Sequence, residues 1–226
     1  MFYVVVKALV TRVTLMIWRP RVEGRENIPA RGPVILASNH LSFVDSLLIP
    51  MVAPRRVSFL AKAEYFETPG VKGRLMKAFF TAIGAIAVRR GEHRAAQDSL
   101  DQALAVISSG SAFAIYPEGT RSLDGRLYRG RVGVGWLALK SGAPVVPVGI
   151  VGTREVLPVG AKVPKIVRVS VRFGDPIDAA KLNFVGEAVA ENPKARRAVA
   201  DEVVAQIQKL TGQEYAGVYN ERPAEV

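Results

Sequence analysis

The 226-residue chain contains no cysteine. It therefore folds without a disulfide, and chemistry through a thiol acyl-enzyme is excluded. No G-x-S-x-G elbow occurs, so a serine acyl-enzyme of the hydrolase type has no support. The only histidines are His40 and His93, and with no thiolate beside them they are too few to suggest a metal centre. Near the start the unbroken apolar runs, Phe2 to Val6 and Ala8 to Val10, are far shorter than the ~18 residues of a membrane-spanning helix. The start also lacks the basic, apolar and small-residue succession of a secretory signal, which makes the cytosolic side the expected compartment. Zinc-finger spacing and aromatic-interleaved RNA motifs are missing as well. No repeat or low-complexity tract is found.

What is present describes one sizeable α/β domain. Apolar residues make up 49% and charged residues 23%, a balance that excludes a disordered polymer. The net charge is +11, and the excess is local: residues 54–94 carry nine Lys/Arg against three acids, and residues 119–172 carry ten against two. Residues 173–226 reverse the sign, with six against nine. Such a field suits phosphate-bearing molecules or an anionic membrane surface. Nucleic acid is compatible with charge alone and with nothing else in the sequence.

The chain centres on Ser38-Asn39-His40-Leu41-Ser42-Phe43-Val44-Asp45, which follows an apolar run from Pro33 to Ala37. That run reads as a buried strand and places His40 at its carboxyl end, where open α/β sheets hold ligands. Residues five apart do not share a face of either a strand or a helix. A turn between them would bring the Asp45 carboxylate back onto the imidazole, and a histidine oriented by a carboxylate is a general base. Read alone, the spacing is short enough to arise from a strand-end histidine beside an unrelated helix-capping aspartate.

A second apolar strand, Ala112 to Tyr116, runs into Pro117-Glu118-Gly119-Thr120-Arg121-Ser122. Together the two stretches resemble the N-H-x-x-x-x-D and P-E-G-T-R-S motifs of the glycerolipid acyltransferase family, enzymes that acylate glycerol-3-phosphate and lysophosphatidic acid. Gly84 to Arg90 resembles that family's G-x-I-x-V-x-R motif, and Val146-Pro147-Val148-Gly149-Ile150 its apolar V-P-V motif. The four stand in family order across residues 38–150. The resemblance implies transfer of a fatty acyl group from acyl-CoA, or acyl carrier protein, to the free hydroxyl of lysophosphatidic acid, giving phosphatidic acid without a further cofactor. The chain's modest length favours that acceptor over glycerol-3-phosphate. His40 would take the hydroxyl proton and Asp45 would fix the imidazole tautomer.

The resemblance also assigns Arg90, Glu118, Gly119, Thr120 and Arg121 to the acceptor's phosphate region. Arginine suits bidentate phosphate recognition. A carboxylate beside a phosphate is unfavourable, so Glu118 is expected to orient Arg121 or Arg90, or to contact an acceptor hydroxyl. Arg89 competes with Arg90 for its role, and an exposed turn salt bridge would account for Glu118 and Arg121 on their own. Pro147 cannot donate to a ladder and is expected at a sheet edge or a bulge, while the family places this strand near the acyl chain. Phe43, Phe79 and Phe80 are candidates for lining that chain, with core packing as the plainer alternative.

The expected fold is a single α/β domain, a mixed and mostly parallel sheet flanked by helices. Residues 1–20 are expected to form a membrane-associating amphipathic helix, residues 21–212 the acyltransferase domain and residues 213–226 a loose tail. Lys7, Thr11 and Thr14 would form a narrow polar stripe on the first helix, with Trp18-Arg19 at the interface; packing of that helix on the core is the alternative. Val71 to Phe80 has the composition of a basic helix at a lipid surface, or of a core helix with exposed lysines. Lys165 to Phe173 alternates as a half-exposed strand, and residues 152–164 are expected to loop over the site. The protein is thus expected on the cytoplasmic face of the membrane, with a non-catalytic lipid-binding protein as the rival reading.

Overall fold

The computed structural model describes residues 18–88, 95–158, 163–182 and 189–221, with the isolated positions 12, 16 and 161. Most of the expected membrane helix, together with Arg89, Arg90, His93 and residues 222–226, lies outside the described residues. Seven strands form one sheet: β1 (Arg21–Glu23), β2 (Val34–Ser38), β3 (Val57–Lys62), β4 (Ala85–Val88), β5 (Ala112–Ile115), β6 (Val145–Val151) and β7 (Ser170–Phe173). Their spatial order is β1-β7-β6-β2-β5-β3-β4. Every neighbouring pair is parallel except β6 with β7. This is the mixed, mostly parallel α/β fold that the pattern of elements predicts.

Each face is covered by helices, which explains the uninterrupted apolar strands. Helices α1 (Asp45–Val52), α2 (Glu64–Glu67) and α3 (Gly70–Ala82) lie on one side, and α4 (Ala95–Ser108), α5 (Gly133–Ser141) and α7 (Pro193–Thr211) on the other. The short α6 (Thr153–Val156) follows β6. Strand β2 divides its side chains by the two-residue strand period: Val34 and Leu36 enter the first core, Ile35 and Ala37 the second. Helix α7 starts where the Asn192 side chain accepts from the amides of Lys194 and Ala195, and stops at Gly212 with φ of 69°.

Two local expectations change, those for β7 and for the tail, and at Pro147 the structure decides between an edge and a bulge. Strand β7 begins only at Ser170, because the sheet on both sides runs out there: Ser170 pairs with Arg21, the first residue of β1, and with Val151, the last of β6. Pro147 is not at an edge, since β6 lies between β2 and β7. Its carbonyl accepts from the Gly174 amide at 2.8 Å, so its nitrogen faces the same neighbour. There the chain is bulged: Val145 pairs with Ile177 and Val148 with Phe173, leaving one residue more on the β7 side. The missing N–H falls at the irregularity that tolerates it.

The tail is not loose through residue 221. The amides of Leu127, Arg129 and Ala216 donate to the carbonyls of Glu214, Val218 and Leu127, and Leu127 bridges Tyr215. This docking positions the chain end against the loop that follows β5.

Helices α5 and α7 pack tightly at Gly135, where an added Cβ would stand 2.2 Å from the Arg196 carbonyl oxygen. Gly135→Ala must push two backbones apart and is expected to cost about 1–3 kcal/mol, read as a fall of several degrees in Tm. An unchanged Tm would show that the two helices do not meet at this position.

Candidate active site

The carboxyl ends of β2 and β5 lie side by side, because the two strands are adjacent and parallel. The turn after β2 folds back as anticipated: Asp45, the first residue of α1, returns its carboxylate to the imidazole. Its Oδ2 accepts from His40 Nδ1 at 2.9 Å, the Leu41 amide at 2.7 Å and the Ser42 amide at 2.7 Å. A carboxylate only accepts, so Nδ1 carries the hydrogen and Nε2 presents its lone pair. No described residue hydrogen-bonds Nε2. Asp45 is fully buried, and its Oδ1 has no partner among the described residues. The His40 side chain keeps 16% of its surface open, so its free nitrogen can meet a substrate hydroxyl.

Glu118 does not orient Arg121, one of the roles expected for it; Arg90 lies outside the described residues. The Glu118 side chain points inward, 1% exposed, and neither carboxylate oxygen reaches Arg121. Oε1 accepts from the His40 amide at 3.0 Å and Oε2 from the Tyr128 amide at 2.9 Å. The Ser122 amide donates to the His40 carbonyl at 2.7 Å. The second motif thus grips the backbone of the first on both sides of the histidine. Burial pushes the Glu118 carboxyl up to about 7; the Tyr128 and His40 amides oppose that, and the Asp45 and Asp124 charges add to it.

Arg121 is exposed, and its guanidinium has no ion-pair or hydrogen-bond partner among the described residues. Its backbone is held instead, the carbonyl accepting from Asn220 Nδ2 at 3.1 Å. Gly119 is exposed with φ of 78°, and a Cβ there would lie 2.9 Å from Arg131 Nε, so the position requires glycine. Thr120 is half-buried beside it. Arg131 enters this neighbourhood without a motif to announce it, and Arg129 and Arg131 both stand over the Tyr219 ring, 5.3 and 5.7 Å from its centroid. Among the described residues no three of His, Asp and Glu come together to hold a metal ion.

Other residues complete the site. The Tyr116 ring stacks on His40, with centroids 3.9 Å apart and planes 12° from parallel. Its hydroxyl lies 3.1 Å from Ser46 Oγ, and burial, with Asp45 adding to it, keeps the phenol protonated far above the usual range. Asn39 behaves as an extra peptide group: its amide donates to the Ile150 carbonyl at 2.9 Å and its oxygen accepts from the Ile150 amide at 2.8 Å. Gln213 joins Asn39 to the Gly125 carbonyl. Asn39 and Tyr116 sit inside the motif stretches, where adjacency could have flagged them; Gln213 lies 174 positions from Asn39 and carries no local signal.

Phe43 and Pro147 do not converge. Phe43 lies half-buried on the α1–α3 side, edge-on to Tyr65 and Phe80 at 6.2 and 6.3 Å. Phe79 packs edge-on against Phe80 in the same cluster. Pro147 pairs with Ala37 and faces Leu210 and Gly174 on the other side of the sheet. Within the segment expected to loop over the site, Thr153–Val156 form the short α6, and Leu157 just after it contacts the first motif, its carbonyl accepting from Ser42 Oγ at 3.3 Å.

Glu118 makes stability depend on pH. Its folded pKa lies above the 4.5 of an ordinary glutamate, so the folded state holds more protons between those values and loses stability as pH rises through them. The stability of wild type minus that of Glu118→Gln is expected to fall by about 2–3 kcal/mol between pH 5 and pH 8. Denaturant titrations at several pH values check this. A difference independent of pH would mean that Glu118 is ionised throughout.

The Acyltransferase family model matches residues 19–151, a span that contains every motif described above. A chloroplastic 1-acyl-sn-glycerol-3-phosphate acyltransferase of Brassica napus is 32% identical over 146 residues, covering 64% of this chain and 41% of that protein. A 1-acyl-sn-glycerol-3-phosphate acyltransferase of Borreliella burgdorferi is 31% identical over 134 residues, 59% of this chain and 52% of that one. This chain thus spans about two-fifths to one-half of the length of these curated relatives. The crystal structure of the 1-acyl-sn-glycerophosphate acyltransferase PlsC from Thermotoga maritima superimposes with a TM-score of 0.65 at 27% identity, over 88% of this chain and 76% of that one. With the motifs in place, the strand ends that carry them and a family match across more than half of its length, the chain belongs to the Acyltransferase family.

Proposed function

We propose that the protein transfers a fatty acyl group from a thioester, acyl-CoA or acyl carrier protein, to the free hydroxyl of lysophosphatidic acid, yielding phosphatidic acid. The observation that carries this reading is the His40–Asp45 pair, with Nδ1 bound to a buried carboxylate and Nε2 free. In the reaction Nε2 takes the acceptor's hydroxyl proton as its oxygen attacks the thioester carbonyl. The tetrahedral adduct collapses by breaking the C–S bond, and the imidazolium returns the proton to the departing thiolate. No group on the protein is acylated, in keeping with the missing cysteine and serine elbow. Asp45 sets the tautomer, and Tyr116 limits rotation of the ring by lying flat against it.

Arg121, exposed and without a side-chain partner among the described residues, is the proposed ligand of the acceptor phosphate, with Gly119 and Thr120 allowing close backbone approach. Arg90 is proposed for the same phosphate. The relatives are 1-acyl-sn-glycerol-3-phosphate acyltransferases, which supports lysophosphatidic acid over glycerol-3-phosphate as acceptor. Membrane association follows from the substrate, which lies in a bilayer, and the basic surface suits its cytoplasmic face. No helix among the described residues is long and apolar enough to cross a membrane.

The test is release of free CoA from palmitoyl-CoA with lysophosphatidic acid, with glycerol-3-phosphate and with neither. Release that requires lysophosphatidic acid is expected, and His40→Ala should lower kcat by about 10²–10⁴-fold. Arg121→Ala should instead raise KM for the acceptor while the protein melts as before. Acceptor-independent release would point to a thioesterase. Silence with acyl-CoA and with acyl carrier protein alike would sink the transferase reading in favour of a lipid-binding protein.

A further inference from the structure

Helix α3 (Gly70–Ala82) has two apolar faces, only one of which the protein uses. Gly73 and Phe80 are buried, with Met76 and Phe79 half-buried beside them. The Phe80 ring stacks on Tyr65 at 4.7 Å and meets Phe43 edge-on at 6.3 Å. On the outer side Val71 is 64% and Leu75 68% exposed, and Ala78 is exposed in line with them. At 100° per residue these three fall within about 60° of arc, so they form one strip rather than scattered positions.

The strip is flanked by cations. Arg74 and Lys77 project on one side of it and Lys72 on the other, all exposed. No acid occurs anywhere between Gly70 and Ala82; the nearest in sequence, Glu64 and Glu67, belong to α2. An exposed lysine helix needs no apolar ridge along its centre, and a nucleic acid would find no use for one. Apolar residues at mid-face with basic residues on both shoulders suit a bilayer interface, where the first enter the acyl region and the second meet phosphate headgroups.

We propose that the outer face of α3 is a docking surface for anionic phospholipid bilayers, with Val71 and Leu75 inserted and Lys72, Arg74 and Lys77 on the headgroups. The proposal deepens the reading of the substrate as a membrane lipid, and its test reads the protein's position on the membrane rather than turnover. It also gives the helix a route to the chemistry. The underside of α3 reaches Phe43, three residues beyond His40 and on the same side of the sheet as Tyr116. A lipid meeting α3 therefore lies over the layer that leads to the dyad.

Because the chain has no cysteine, Leu75→Cys in the full-length protein gives a unique site for an environment-sensitive nitrobenzoxadiazole label. Phosphatidylglycerol–phosphatidylcholine vesicles should shift its emission to the blue and brighten it, whereas pure phosphatidylcholine vesicles should not. The same label at Ala105→Cys, exposed on α4 across the sheet, should stay at its aqueous emission. In co-sedimentation, Leu75→Glu should lower the partition coefficient at least about tenfold. The triple change Lys72→Gln, Arg74→Gln, Lys77→Gln should lower it roughly a hundredfold, from about fivefold per cation. Both variants should melt like wild type, since all four side chains are exposed. An aqueous signal from the Leu75 label on protein that pellets with vesicles would overturn the proposal, as would undiminished partitioning of the two variants or no binding to anionic vesicles at all.

Discussion

One carboxylate oxygen holds the first motif together. Asp45 Oδ2 receives the imidazole and two consecutive backbone amides, so the turn from His40 to α1 closes around a single buried charge. Taking a carboxylate out of water costs several kcal/mol. Three charge-assisted hydrogen bonds, each contributing about 1.5–3 kcal/mol, offset that cost. The same arrangement therefore stabilises the turn, fixes the tautomer of His40 and leaves its other nitrogen as the acceptor.

Around that centre the fold supplies fixed supports. Adjacent parallel strands bring the ends of β2 and β5 together, and the loop after β5 is folded back on itself rather than left free. Glu118 and Ser122 hold the backbone of His40 from both sides, and Asn39 extends the contact between β2 and β6 beyond the last strand residue. A general base works only if it stays within hydrogen-bond reach of its proton donor. Supports that act on the backbone leave the Nε2 edge of the ring open.

The division between legible and hidden features follows the range of the forces. The strands that lead into the two motifs were legible because they depend on apolar runs local to the chain. The His40–Asp45 pair was legible because a turn is the only way to join residues five apart at a strand end. Glu118 was not. The same sequence could direct its carboxylate outward to Arg121 or inward to two amides, and the choice depends on His40, 78 positions away. The tail was read as loose because its partners, Leu127, Arg129 and Arg121, lie far upstream.

From the sequence alone came the α/β class, the order of elements, the pairing of His40 with Asp45 and the basic surroundings, since each rests on spacing, period or composition. Tertiary structure decided the rest. It turned Glu118 into a backbone clamp, laid Tyr116 on the imidazole, drew Gln213 and Asn220 back to the motif loops and placed Pro147 opposite a bulge on the far side of the sheet from Phe43. It also decided which apolar residues of α3 face the core and which face water. Those outcomes depend on contacts between segments distant in the chain, and only close packing against the other elements of the fold selects among the orientations that a local sequence allows.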